Sequence, residues 1–253
     1  MRNAIRLLFV MLSVLSTAGL TKADNAIETK GEKALAKADY DLAISCFDEA
    51  IRLNPQSASA YEGRSSAYFN KRDFKQAIAD ATEAVRLAPS AAGPHITRGN
   101  AYLWARRDDG DLDKAIADYS DAIRLDPKNA LGYCGRGTGY AGKEEWDKAI
   151  ADYSDAIRLD PTAAYVYCRR GHAYKAKKDV DKAIADYSEA IRLQPDCVEA
   201  YLGRASQYYA KKDYRRTQLD CRKVLKLEPK NNEAGNLLRT TTLAYGPLWH
   251  DDE

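Results

Sequence analysis

Histidine, cysteine and the carboxylates are the side chains that can act as bases, nucleophiles or metal ligands, and their spacing decides which of these roles is open. Only three histidines occur: His95, His172 and His250. No two of them stand at ligand spacing, and no glycine-rich loop follows a strand to cradle a phosphate. The five cysteines are Cys46, Cys134, Cys168, Cys197 and Cys221, and none forms a Cys-x-x-Cys pair. An odd set of thiols without a motif reads as small apolar residues of a core. Aspartate and glutamate are plentiful, but they recur at a fixed period, which ties most of them to the fold. We therefore expect no catalytic residue, no cofactor and no metal site.

That period is set by prolines. Pro55, Pro89, Pro127, Pro161, Pro195 and Pro229 stand 34, 38, 34, 34 and 34 residues apart. Six repeats follow, at 24–57, 58–91, 92–129, 130–163, 164–197 and 198–231, the third carrying four extra residues. Each is numbered here from position 1, leaving out those four. Position 8 is always small: Gly31, Ser65, Gly99, Gly137, Gly171 and Ala205. Position 20 is Ala43, Ala77, Ala115, Ala149, Ala183 and Thr217. Small side chains at both places let two helices approach closely, and positions 20, 21, 24, 27 and 28 form one apolar helix face.

The ends of these helices are also marked. Position 16 is Asp39, Asp73, Asp111, Glu145, Asp179 and Asp213, and its aspartates suit the cap of a second helix. Lys71-Arg72, Arg106-Arg107, Lys177-Lys178 and Lys211-Lys212 precede them, where the carbonyls of a first helix favour cations. Each proline at position 32 stops the second helix. Position 7 is Arg64, Arg98, Arg136, Arg170 and Arg204, and position 23 is Asp80, Asp118, Asp152, Asp186 and Asp220. Repeat one alone departs at both, with Lys30 and Cys46. Two columns that change together predict an arginine–aspartate pair joining two helices of one repeat or of neighbours.

The pattern Tyr133…Gly137…Tyr140…Ala149…Tyr153…Ala156…Pro161 resembles the tetratricopeptide repeat, with Tyr for the first Trp of the family signature and Arg136 for its Leu. The resemblance covers 24–231. It implies an all-α fold of helical hairpins stacked into a right-handed superhelical solenoid. Residues 232–245, with Ala234, Leu237, Leu238 and Thr241 in one stripe, are expected to form a capping helix, followed by a tail at 246–253. The extra residues near Arg106-Arg107-Asp108-Asp109-Gly110 are expected to lengthen the turn of repeat three.

In that family positions 2, 5, 9, 12 and 13 of the first helix line a concave face. Carried over, repeat one offers Glu28 and Glu32, and repeat two Glu62, Ser66, Phe69 and Asn70. Repeat three offers Ile96, Asn100, Leu103 and Trp104, and repeat four Leu131, Cys134 and Thr138. Repeat five offers Tyr165, Cys168, His172 and Lys175, and repeat six Glu199, Leu202, Ser206 and Tyr209. Cys134 and Cys168 thereby become exceptions to the buried reading of the cysteines, and His172 reads as a binding contact. His95, at position 4, reads as a packing residue. Cochaperones of this family that grip acidic chaperone tails carry Lys and Asn at positions 5 and 9 of the first repeat. Glu28 and Glu32 invert that charge, so the resemblance points to a partner with basic and apolar residues.

Residues 1–23 differ from the rest. Arg2 and Arg6 precede the apolar run Leu7–Leu15, and Thr21-Lys22-Ala23 offers small residues at its outer positions. This reads as a secretory signal cleaved after Ala23. Its removal lowers Lys+Arg from 39 to 36 against 37 acidic residues, so the processed chain is at −1 and carries no footprint for nucleic acid. The expectation is an exported, non-catalytic scaffold holding a protein or peptide in the bacterial periplasm or outside the cell. The alternative is an envelope glycan binder stacking sugars on Trp104, Tyr165 and Tyr209.

Overall fold

The computed structural model describes residues 25–105 and 109–246. The segment 1–23 read as a secretory signal, the Arg106-Arg107 pair and the tail from Pro247 onward, including Trp249, lie outside these residues. The described residues form thirteen helices, and none of them is long and apolar enough to cross a membrane. A first helix, α1, covers residues 25–36. Then come α2 (Tyr40–Leu53), α3 (Ala58–Asn70), α4 (Phe74–Leu87), α5 (Ala92–Ala105) and α6 (Asp109–Leu125), which make one compact unit ending at Pro127. A second compact unit begins at Lys128 and holds α7 (Ala130–Gly142), α8 (Trp146–Leu159), α9 (Ala164–Ala176), α10 (Val180–Leu193), α11 (Val198–Ala210), α12 (Tyr214–Leu227) and α13 (Asn232–Tyr245).

Within each unit, helices pair as hairpins and each hairpin packs on the next. In the first, α3 packs on α4 and on α5, and α5 on α6. In the second, α7 packs on α8, α9 on α10 and α11 on α12, while first helices also touch one another, α7 with α9 and α9 with α11. The helix α13 lies on α12 and α11 with Ala234 and Thr241 fully buried, and the Gln218 amide donates to the Gly246 carbonyl at 2.9 Å. The outward side of α13 is mixed, with Asn236 and Arg239 exposed alongside Leu243 and Tyr245.

The local chemistry of the boundaries follows the sequence in most places. Every second helix ends at the leucine of position 30, two residues before the proline. Asp39, Asp73, Asp179 and Asp213 cap second helices by accepting from the backbone N–H three residues on. Glu145 makes no such bond. Between the helices the chain turns through one left-handed residue, at Ala38, Arg72, Glu144, Lys178 and Lys212. The N–H of the next residue then returns to the carbonyl at position 11, as from Asp73 to Tyr68 at 2.9 Å, which satisfies an otherwise orphaned helix end. Repeat three departs from expectation. The extra residues extend α6, which begins at Asp109, so Asp111 lies inside the helix and is buried rather than serving as its cap. A helix gains one hydrogen bond per added residue, which a longer open turn does not.

The core is built on position 24. Phe47, Tyr119, Tyr153 and Tyr187 are among the largest fully buried side chains. Each ring lies over the glycine at position 8 of its own hairpin. A Cβ added at Gly31 would stand 2.8 Å from the Phe47 ring, at Gly137 3.0 Å from Tyr153, and at Gly171 2.9 Å from Tyr187. The Phe47 and Tyr187 rings also abut a glycine of the following repeat, Gly63 at 2.3 Å and Gly203 at 2.5 Å from the added Cβ. Where position 24 is smaller, at Ala81 and Cys221, position 8 carries Ser65 and Ala205.

The paired columns of charge meet within each repeat. Arg64, Arg98, Arg136, Arg170 and Arg204 each grip the aspartate of the same repeat with two N–H groups, at 2.6–2.9 Å. The aspartates are buried and the arginines only partly so. A remaining N–H reaches back to the preceding repeat, from Arg64 to Asp48, from Arg170 to Ser154 and from Arg204 to Ser188. The guanidiniums of Arg64, Arg136, Arg170 and Arg204 also lie within 6 Å of the tyrosine ring at position 4. On the surface, Lys71 bonds Asp41, Lys177 bonds Asp147 and Lys211 bonds Asp181 of the preceding repeat; such exposed pairs, screened by water, contribute little.

Three substitutions test this packing by thermal and urea unfolding followed through helical circular dichroism. Asp152→Ala leaves Arg136 without its buried carboxylate and is expected to destabilise by about 3 kcal/mol; unchanged unfolding would remove the pair as a structural element. Gly171→Ala is expected to destabilise by about 1–3 kcal/mol through overpacking against Tyr187. Gly235→Ala, where nothing lies within 4 Å of the added methyl, should instead raise stability by up to about 1 kcal/mol.

Candidate functional site

The first-helix positions that the resemblance assigns to a binding face do not all face outward. Position 5 turns inward in three repeats: Ile96, Cys134 and Cys168 are all buried. The expectation that Cys134 and Cys168 escape burial is therefore corrected. Cys134 and Cys168 pack with residues of their own and the following hairpin, and Ile96 with Tyr119 and Ala122 of its own, so an apolar side chain at position 5 joins the core. All five cysteines are free, and only Cys197 is partly exposed. Burial pushes the Cys134 thiol up and the Cys221 thiol up to about 12, which suits inert core residues.

Position 9 serves the buried tyrosine of position 24. The Tyr119 hydroxyl donates to Asn100 Oδ1 at 2.7 Å and the Tyr153 hydroxyl to Thr138 Oγ1 at 3.3 Å. Tyr187 Oη stands 2.9 Å from His172 Nδ1. A buried hydroxyl without a partner is expensive, so a tyrosine in the core demands a polar residue here. Ser66 and Ser206 stand at position 9 where position 24 has no hydroxyl, and each bonds a carbonyl of its own helix, Glu62 and Gly203. Glu32 is exposed opposite Phe47, which has no hydroxyl either. His95, expected to pack, is buried, with Nδ1 3.5 Å from Asp118.

The acids at the N-terminal end are partly engaged by the fold. Glu28 accepts at both oxygens, from Ser57 at the end of its own repeat and Ser59 of the next, each at 2.6 Å. Glu62 accepts from Thr97 at 3.1 Å and lies over Gly93; burial raises its carboxyl pKa, which the Thr97 bond partly offsets. Of the side chains assigned to the binding face, those open to solvent in the first unit are Glu32, Asn70 and Trp104, with Phe69 half-buried edge-on to Trp104 at 6.4 Å and Leu103 half-buried. In the second unit they are Leu131, Tyr165, Lys175, Glu199 and Tyr209, with Leu202 half-buried.

Sequence reasoning missed one constellation. Cys168 and His172 stand four apart on α9, so they share a face, and the first turn of α11 brings Glu199 to them. His172 Nε2 lies 2.9 Å from Glu199 Oε1 and 3.7 Å from Cys168 Sγ. The signal for half of it was the Cys-x3-His spacing; Glu199, 27 residues further on, carried none.

These features define an all-α protein of tandem helical hairpins whose two helices build the core together and whose first helices also present side chains to solvent. Residues 29–92 and 164–197 match the family descriptions "Tetratricopeptide repeat", and 105–143 and 139–178 match "TPR repeat", together more than half of the chain. The chain belongs to the tetratricopeptide-repeat family. Among solved structures it is similar to a chain of the APC/C hetero-tetramer Cut9–Hcn1, with 20% identity, a TM-score of 0.77, and coverage of 86% of this chain but 42% of that one. The chain thus spans under half the length of that relative. It is similar to PilF of Pseudomonas aeruginosa at 15% identity and TM-score 0.75, over 88% of this chain and 99% of that one. It is also similar to YrrB, a TPR protein with an unusual peptide-binding site, at 19% identity and TM-score 0.59, over 76% and 97%. At these identities the likeness speaks to the fold alone.

The pairing of positions 9 and 24 has a direct test. His172→Ala strands the Tyr187 hydroxyl and is expected to cost about 1–3 kcal/mol in urea unfolding, while His172→Asn, the residue of repeat three, should recover most of it. Equal losses for both would show that the bond contributes nothing.

Proposed function

We propose that this chain is a non-catalytic scaffold that holds a protein partner, as a peptide or helix, on the exposed faces of its first helices, and that it works in the cell envelope after export. The observation that carries the binding role is where large apolar side chains are left in water. Within the six repeats, Trp104, Leu131, Tyr165 and Tyr209 are exposed at positions 2, 12 or 13 of first helices, against only Leu42 and Leu227 on second helices; Leu243 and Tyr245 of α13 are exposed as well. Aromatic anchors on rigid helices lose little conformational freedom on binding and are the usual centres of protein interfaces. Lys175 and Glu199 in the second unit, and Glu32 in the first, supply charge beside these anchors. YrrB, similar in fold, is a peptide binder, which supports the same use of the scaffold here. Export rests on the amino-terminal segment alone: two arginines, an apolar run and the small residues before Ala23.

The tagged full chain, expressed in its own host, should be recovered from the envelope fraction with a mass beginning at Asp24, and should retain a protein partner. Trp104→Ala, Tyr165→Ala and Tyr209→Ala are expected to weaken that partner at least tenfold each where they lie at the centre of the contact, and Glu32→Lys to weaken a basic one. Recovery of the intact amino terminus from the cytosol would sink the export reading. Retention on insoluble peptidoglycan that is lost in Trp104→Ala, with no protein partner, would establish sugar stacking instead.

A further inference from the structure

We propose that Cys168, His172 and Glu199 form a binding site for a divalent transition metal of the zinc type. The three donor atoms, a thiol sulfur, an imidazole nitrogen and a carboxylate oxygen, all lie within 4.8 Å of one another. Zinc–ligand bonds of about 2.0–2.3 Å place ligand atoms roughly 3–4 Å apart in a tetrahedron. The 3.7 Å from sulfur to nitrogen already has that spacing, and the 2.9 Å from nitrogen to oxygen needs only a small opening of the exposed Glu199 side chain. Three protein ligands leave the fourth position of the ion for water.

The surroundings prepare these atoms for a cation. Tyr187 Oη stands 2.9 Å from the other ring nitrogen of His172. With Nδ1–H donating to that oxygen, the Nε2 lone pair points at Glu199 and Cys168, the arrangement in which a ligating histidine is held from behind. Without an ion the ring takes the other tautomer, with Nε2–H donating to Glu199. The exposed Glu199 carboxylate already faces His172 Nε2 at 2.9 Å. Burial and the nearby Glu199 push the Cys168 thiol up, and Arg169 acts weakly in the opposite direction on both. A dication relieves that crowding of sulfur and carboxylate: the thiol proton leaves to solvent, the thiolate binds, and affinity rises with pH.

The same three positions elsewhere lack the set. In the preceding repeat they hold Cys134, Thr138 and Tyr165, and at the start of the chain Glu28, Glu32 and Ser59. Only at the junction of repeats five and six do a thiol, an imidazole and a carboxylate coincide. Cys197, at the N-cap of α11, makes no capping bond and lies close enough to Cys168 to affect its thiol, so the test must keep both reduced.

The full chain, reduced with a phosphine, is titrated with Co2+ and followed by the thiolate-to-cobalt absorption of the near ultraviolet, then with Zn2+ to bleach it. The expected result is one equivalent bound, tighter at pH 8 than at pH 6. Cys168→Ser should abolish the band, Glu199→Gln should weaken binding at least tenfold, and Cys134→Ser should leave it unchanged. No band from the wild type, a band that persists in Cys168→Ser, or unaltered affinity in Glu199→Gln overturns the site. Glu199 is exposed, so its variant remains informative even if Cys168→Ser fails to fold.

Discussion

Each aromatic ring at position 24 reaches across its hairpin into space that exists because a glycine stands at position 8. The rings of Phe47, Tyr153 and Tyr187 pass within about 3 Å of where a side-chain carbon would begin, so the two helices close until backbone meets ring. Such packing converts a modest apolar area into dense contact, which a single hairpin of this length otherwise lacks. Phe47 and Tyr187 then press on a second glycine in the following repeat, so one side chain joins two hairpins. The spacing of helices, and with it the placement of every first-helix side chain, descends from this fit.

Tyrosine in that role brings its hydroxyl into the core, and position 9 answers it. Asn100, Thr138 and His172 differ in size and chemistry, yet each presents a polar atom to the ring behind it. The same logic governs charge. The aspartates of position 23 are buried because bidentate arginines meet them, and the arginines spend their remaining N–H groups on the neighbouring repeat. Buried charge of this kind holds geometry more than it adds net stability, since desolvation offsets much of the attraction.

The consequence for binding is a narrower face than the family pattern alone suggests. Positions 5 and 9 are largely used by the fold, and Glu28 and Glu62 brace successive repeats, which leaves positions 2, 12 and 13 as the open ones. Those carry the exposed Trp104, Leu131, Tyr165 and Tyr209.

Much of this was legible in the amino-acid sequence, because repetition turns one chain into six readings of the same environment. The helix pairs, their ends at the prolines, the small residues at positions 8 and 20, and the arginine–aspartate pairing all show as columns, and Lys30 with Cys46 shows which columns move together. What the tertiary structure alone decided is rotation and partnership across repeats. It turned Ile96, Cys134 and Cys168 inward, carried the extra residues of repeat three into α6, tied Glu28 to two serines, and set Glu199 against His172 and Cys168. The physical reason is that a helix's period specifies which residues share a face, while the few degrees of roll that choose between core and water come from the packing of rings and glycines contributed by a different part of the chain.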